Sequence, residues 1–269
     1  MLRPLLLLAA TLVPCACVHT PPPRSTSGAA AALPDDDALV RAMLASEEPR
    51  IAAYFGSPLP RPYELRLFRH RADMEAFARA TWQMPELPCW AVAMGSGSRL
   101  AVLCPSAWTS EACEHDPNDQ DAMRLLLAHE LVHVYHGQHR ADTEFMQADE
   151  VGWLVEGLAV LVSGQLTPAR LRQAAAAVAA GHGPTTLADA WSGNARYGIA
   201  GSMVRFVEDR LGQARMVDLL DDSTNAAILA RVGMDEEGFL TAWRRWLARD
   251  AGAASDASVL PSPPASSAR

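Results

Sequence analysis

Apolar residues recur with helical spacing over most of this chain and with strand-like alternation in a few short stretches near its start. Asp35-Asp36-Asp37 stands where a helix start favours negative charge, and helical spacing runs on to about Tyr54. Tyr63-Glu-Leu-Arg-Leu-Phe68 alternates as a strand should, and Ala72 to Trp82 returns to the helical period. Trp90-Ala-Val-Ala-Met94 and Arg99-Leu-Ala-Val-Leu103 flank Gly95-Ser-Gly-Ser98, which predicts a hairpin with a four-residue loop. From about Asn118 onward nearly everything reads as helix, with breaks at Gly137, near Thr167-Pro168, around Gly181-His-Gly-Pro184 and at Gly212. A small mixed sheet with a hairpin, followed by a helical bundle, makes an α+β fold.

Two stretches lack this periodicity. Val18 to about Pro34 and Ala251 to Arg269 are rich in Pro, Ser, Thr and Ala, which predicts a flexible tether and a disordered tail around one folded body from Asp35 to Asp250. Residues 1–17 carry one positive charge at Arg3, an apolar run from Leu5 to Val13 and small residues before a cysteine, the pattern of an export signal. The run is too short to span a bilayer. The segment resembles the lipobox of bacterial lipoproteins, with Cys17 or Cys15 as the acylated residue. That implies a lipid-anchored protein of the bacterial cell envelope facing the periplasm; ordinary signal-peptide cleavage would instead give a secreted one.

Composition narrows the function. A chain of 269 residues with 49% hydrophobic content can bury a sizeable core. A net charge of −8 without any basic block leaves no face for nucleic acid. All 23 basic residues are arginine, which removes Schiff-base chemistry, pyridoxal cofactors and lysine-dependent phosphate loops. The seven tryptophans are spaced as core and interface residues. Beyond the leader stand Cys89, Cys104 and Cys113. Pairing Met94 with Arg99 across the hairpin sets Cys89 opposite Cys104, which predicts that disulfide, with Cys113 as a competitor and two buried thiols as the alternative.

The chemistry concentrates in His129-Glu130-Leu131-Val132-His133. On a helix, His129 and His133 project from one face and can take two tetrahedral positions on a zinc ion. Glu130 is angled away from ligation, as a general base acting on metal-activated water needs to be. The stretch from Asp121 to His136 is apolar on almost every side, so this helix is expected to be buried. A catalytic zinc keeps three protein ligands and one open position. Two residues compete for the third place: Glu156, in Trp153-Leu-Val-Glu-Gly-Leu-Ala159 on a second helix, and His139, which a turn at Gly137 would bring back to the metal.

The pair of motifs, His129-Glu-Leu-Val-His133 and Trp153-Leu-Val-Glu-Gly-Leu-Ala159, resembles the gluzincin peptidases, specifically the peptidase MA-like family. The resemblance extends more weakly through Tyr197-Gly-Ile-Ala-Gly-Ser202 to Trp243-Arg-Arg-Trp246, covering roughly Tyr63 to Ala248. It implies His129, His133 and Glu156 as zinc ligands and Glu130 as the base. It also implies that Tyr197, which opens the next helix, extends its hydroxyl toward the tetrahedral intermediate; a ring merely packed in the bundle is the competing reading. The spacing to His139 resembles metzincins, but these need glycine three residues after the second ligand. Here His136 fills that place, and no methionine turn follows, so Glu156 is the expected ligand. His136 and His139 are then polar residues at a helix end, where imidazole suits the dipole. Asp149 is either support for a ligand or simply solvated.

The expected activity is hydrolysis of a peptide or protein substrate, aligned by backbone hydrogen bonds along a sheet edge at Leu100 to Cys104. The rival is a membrane-tethered binding or envelope-assembly protein that keeps a metallopeptidase fold without catalysis.

Overall fold

A computed structural model of the protein describes residues 35–256, apart from Pro85 and Gln147. The leader at 1–17, the tether at 18–34 and the tail from 257 lie outside the described residues. Asp35 starts the first helix, its carboxylate accepting the Asp37 N–H at 3.2 Å, and Gly56 ends it in the left-handed region. Among the described residues the order is α1 (Asp36–Phe55), β1 (Glu64–Phe68), α2 (Arg71–Trp82), β2 (Ala93–Gly95), β3 (Arg99–Leu103), α3 (Trp108–Glu111), α4 (Gln120–Gln138), α5 (Gly152–Ser163), α6 (Pro168–Ala179), α7 (Arg196–Leu211), α8 (Asn225–Val232) and α9 (Glu236–Asp256). The α+β order read from the sequence holds: a three-stranded mixed sheet first, a helical bundle after it.

The strand order is β1-β3-β2, with β1 parallel to β3 and β2 antiparallel to it. Strand β3 is therefore the middle strand, with its backbone committed to both neighbours. This corrects the expectation that Leu100 to Cys104 offers an edge to a substrate; the edges are β1 and β2. The hairpin is also tighter than expected. Ser96 and Arg99 exchange backbone hydrogen bonds, leaving a two-residue loop, Gly97-Ser98. Ala93 then faces Val102, and extending the register sets Ala91, not Cys89, across from Cys104.

That register undoes the expected Cys89–Cys104 bridge. Cys89 instead pairs with Cys113, Cα to Cα 5.4 Å, where the Cys113 N–H also donates to the Cys89 carbonyl at 3.1 Å. Cys104 is a buried free thiol. At the other end, α9 runs on to Asp256 with Ala251 buried, so residues 251–256 are helical and not part of a disordered tail. The break expected at Gly137 is not there either; α4 includes it and stops at Gln138.

Helix α4 is the axis of the molecule. Asp119 caps it, accepting the Ala122 N–H at 2.9 Å, and Leu126, Leu127, Leu131, Val132 and Val134 bury its flanks. On one side lies α1: the buried Glu47 carboxylate of α1 takes Arg124 of α4 at 2.5 Å, and Phe55 stacks on Tyr135 with centroids 4.3 Å apart. Strand β2 packs on a second side and α5 on a third, while α7 packs against α5. Among the described residues no helix is long and apolar enough to cross a membrane.

Candidate metal centre

His129, Glu130 and His133 occupy adjacent turns of α4, and α5 crosses α4 with Glu156 facing them. The approach of α5 to its other neighbour, α7, depends on Gly157. A β-carbon there would lie 2.6 Å from Val204 Cγ2 and would also meet the Ala200 backbone, so only glycine fits. The residue beside Glu156 thus seats α5 in the bundle and sets where the carboxylate points.

The three side chains converge. His129 Nε2 lies 3.3 Å from Glu156 Oε2, and His133 Nε2 lies 3.9 Å from the same oxygen. The two imidazole rings stand nearly perpendicular, centroids 4.7 Å apart. One ligand atom from each residue lies within 4.8 Å of the other two, and all three residues are buried. A tetrahedral zinc site with bonds of about 2.0–2.1 Å sets its ligand atoms roughly 3.4 Å apart, close to the shorter of these separations. His129 Nε2 and both oxygens of Glu156 have no hydrogen-bond partner while sealed from water. Buried polar atoms are almost always paired, and a cation satisfies lone pairs that no donor here reaches. The centre can hold a metal ion.

The sequence missed Gln165, which stands just past the end of α5. Its Oε1 lies 3.0 Å from His129 Nδ1, and its Nε2 donates to the Leu125 carbonyl at 3.4 Å. Since that oxygen can only accept, His129 carries its proton on Nδ1 and keeps a bare lone pair on Nε2, facing Glu156. Phe145 was missed as well. Fully buried at φ 57°, where non-glycine residues are uncommon, it lays its ring edge-on to His133 at 6.1 Å and to His136 at 5.3 Å. Neither residue has a local signature, because both reach the centre from loops.

Glu130 is outside the three-residue cluster, and the Gly95 N–H of β2 donates to its Oε2 at 2.7 Å. Burial and then the nearby charge of Glu156 push the Glu130 carboxyl well above the ordinary range, and the Gly95 hydrogen bond opposes them. The strand that delivers this donor is pinned at its turn by Glu144, which accepts from Ser98 at 2.6 Å and from Trp82 Nε1 at 2.8 Å. Burial, with the charges of His129 and His136 added, holds His133 well below the usual imidazole value, so that ring stays neutral.

Tyr197, near the start of α7, is buried with its ring 6.3 Å from that of His129. His139 is turned elsewhere: its ring stacks on Tyr135 and its Nδ1 lies 2.9 Å from the Tyr135 carbonyl, outside the cluster. His136 stands in the last turn of α4, as expected. It is fully buried and held neutral, its pKa pushed down to about 3 by burial and by Arg140, and its Nε2 lies 3.0 Å from the Leu220 carbonyl. Asp149 is exposed, the solvated of the two roles open to it. Compared with family models, with curated proteins and with solved structures, the chain finds no match.

Proposed function

We propose that this protein is a zinc-dependent hydrolase of gluzincin type, most naturally a peptidase. His129, His133 and Glu156 would hold the ion, two imidazole nitrogens and one carboxylate suiting zinc. Zinc bound there supplies Lewis-acid activation of water and of the scissile carbonyl. Glu130 accepts the proton from the attacking water and passes it to the leaving amine, its carboxylate aimed by the Gly95 N–H. Gln165 would hold His129 in the tautomer that presents Nε2, and Tyr197, its ring 6.3 Å from that of His129, would donate its hydroxyl to a developing oxyanion. The Cys89–Cys113 disulfide supports an oxidising compartment, in keeping with the export signal and lipid anchor inferred from the N-terminal pattern.

The observation that carries this reading is Glu130. A purely structural metal site needs three or four ligands and nothing more, yet here a further carboxylate is buried next to them, 1% exposed, at the expense of its own ionisation. One observation favours a non-catalytic binding protein instead: His129, His133 and Glu156 are each at most 1% exposed, as closed structural sites are. The Glu130→Gln variant separates the two. In an enzyme it keeps its zinc, measured by elemental analysis, and loses about a hundredfold or more of its rate on a peptide mixture. Wild-type protein that carries zinc and cleaves none of a broad peptide library would refute the peptidase.

A further inference from the structure

One side of the metal centre carries positive charge that nothing among the described residues balances. Arg170 lies on α6 where that helix meets α7; its Cγ and carbonyl pack over Gly198, with a β-carbon built at that glycine 3.2 Å and 3.0 Å from them. Its NH1 is sealed from water and has no acceptor, and its guanidinium makes no ion pair among the described residues, in a chain with 31 acidic residues against 23 basic ones. The group it does feel is Tyr197: the phenol and the guanidinium interact electrostatically, and Tyr197 in turn lies edge-on to the His129 ring. Arg196 adds a second charge on the same wall. Its guanidinium sits 5.3 Å from the Tyr197 ring and 5.4 Å from Trp191, over aromatic faces rather than against a carboxylate.

A largely buried guanidinium without an acceptor is costly, and ordinary core arginines avoid this by pairing. The other buried arginine stem near the centre, Arg140, donates through NH1 to the Asp222 carbonyl at 3.1 Å, although its Nε too has no acceptor. Arg170 keeps a planar fork of donors unused within one aromatic ring of the metal ligands, the arrangement that recognises a carboxylate in two-point fashion. We propose that Arg170, backed by Arg196, is an anion subsite of the metal centre, and that the substrate presents a carboxylate beside the bond to be cut. This deepens the hydrolase reading and rests on it for the word substrate. The carboxylate is either the C-terminus of a peptide, giving carboxypeptidase-like selection, or an Asp or Glu side chain.

The test uses the zinc-loaded full chain carrying Glu130→Gln, so that ligands are held and not turned over. The probes are acetylated tripeptides as free acids, as C-terminal amides, and as amides with an internal Asp or Asn, with binding followed by calorimetry. Wild-type Arg170 should favour a carboxylate form over its neutral counterpart about tenfold or more, and Arg170→Met should abolish the preference while binding the neutral forms unchanged. Arg170→Lys should restore part of it. Preference for free acids assigns the C-terminus; preference for Asp over Asn assigns the side chain. Removing an unpaired buried charge should leave the melting temperature of Arg170→Met unchanged or higher, whereas a merely structural arginine would lower it. Equal binding of acids and neutral forms, no binding of acids at millimolar concentration, or a parallel loss of both in Arg170→Met overturns the subsite. Cleavage by wild type without carboxylate preference removes the subsite and spares the hydrolase; carboxylate-selective binding without cleavage by wild type does the reverse.

Discussion

Gln165 fixes which nitrogen His129 turns toward Glu156. Its Oε1 accepts the Nδ1 proton, which fixes the tautomer and the ring plane and raises the basicity of Nε2. Gln165→Leu should therefore weaken zinc binding by about 10–100-fold in competition with a chromophoric chelator. Gln165→Glu, which still accepts from Nδ1, should restore it. A residue that only filled space would lower the melting temperature in both variants and leave the zinc dissociation constant alone. At this scale the sequence was informative wherever spacing along a helix carries geometry: His129 and His133 share a face because they are four residues apart, and Glu130 is turned off it for the same reason. Gln165 was invisible because it meets His129 across 36 residues of chain, through a contact made only when α5 folds back on α4.

Two contacts between elements hold the site open to test. The first is Gly157, where α5 and α7 approach too closely for any side chain. Gly157→Ala should cost about 1–3 kcal/mol or more of stability by forcing the helices apart, and should reduce zinc content because Glu156 moves with α5; urea denaturation and metal analysis read the two effects separately. A variant that is destabilised yet fully loaded with zinc would show that α5 can tilt without shifting its carboxylate. The second is the Cys89–Cys113 bridge, which ties the loop ahead of β2 to the segment between α3 and α4. Cys89→Ser should lose about 2–4 kcal/mol and leave zinc affinity intact, since neither loop supplies a ligand; an unchanged denaturation midpoint would mean that the reduced chain holds those loops equally well. The pairing was misread for a physical reason. Sliding a strand by two residues returns every side chain to its original face, so apolar alternation cannot distinguish a four-residue loop from the two-residue one that forms. Turn hydrogen bonding makes that choice, and with it moves Cys89 out of line with Cys104.

For the whole molecule, the metal centre is a weak point that a cation would convert into a strong one. His129 Nε2 and both Glu156 oxygens are buried without partners where α4 and α5 cross, so the metal-free fold carries their lost hydration uncompensated. Binding a cation only to the folded state stabilises it by about 2.7 kcal/mol at a hundredfold excess over the dissociation constant. In a folded body of this size that corresponds to a rise in melting temperature of roughly 5–10 °C on adding zinc to chelator-treated protein. Glu156→Met keeps the volume and removes the orphaned carboxylate, and replacing buried ionic groups by apolar ones of similar size is commonly neutral or stabilising when the partner charge is absent too. The two proteins should therefore cross: with chelator present Glu156→Met melts at or above wild type, and with zinc present wild type melts above Glu156→Met, which barely responds to the ion. Parallel curves, with zinc shifting the variant as far as wild type, would place the ion somewhere other than between α4 and α5. A variant that melts several degrees below wild type in chelator would mean instead that the Glu156 carboxylate is already satisfied in the metal-free fold.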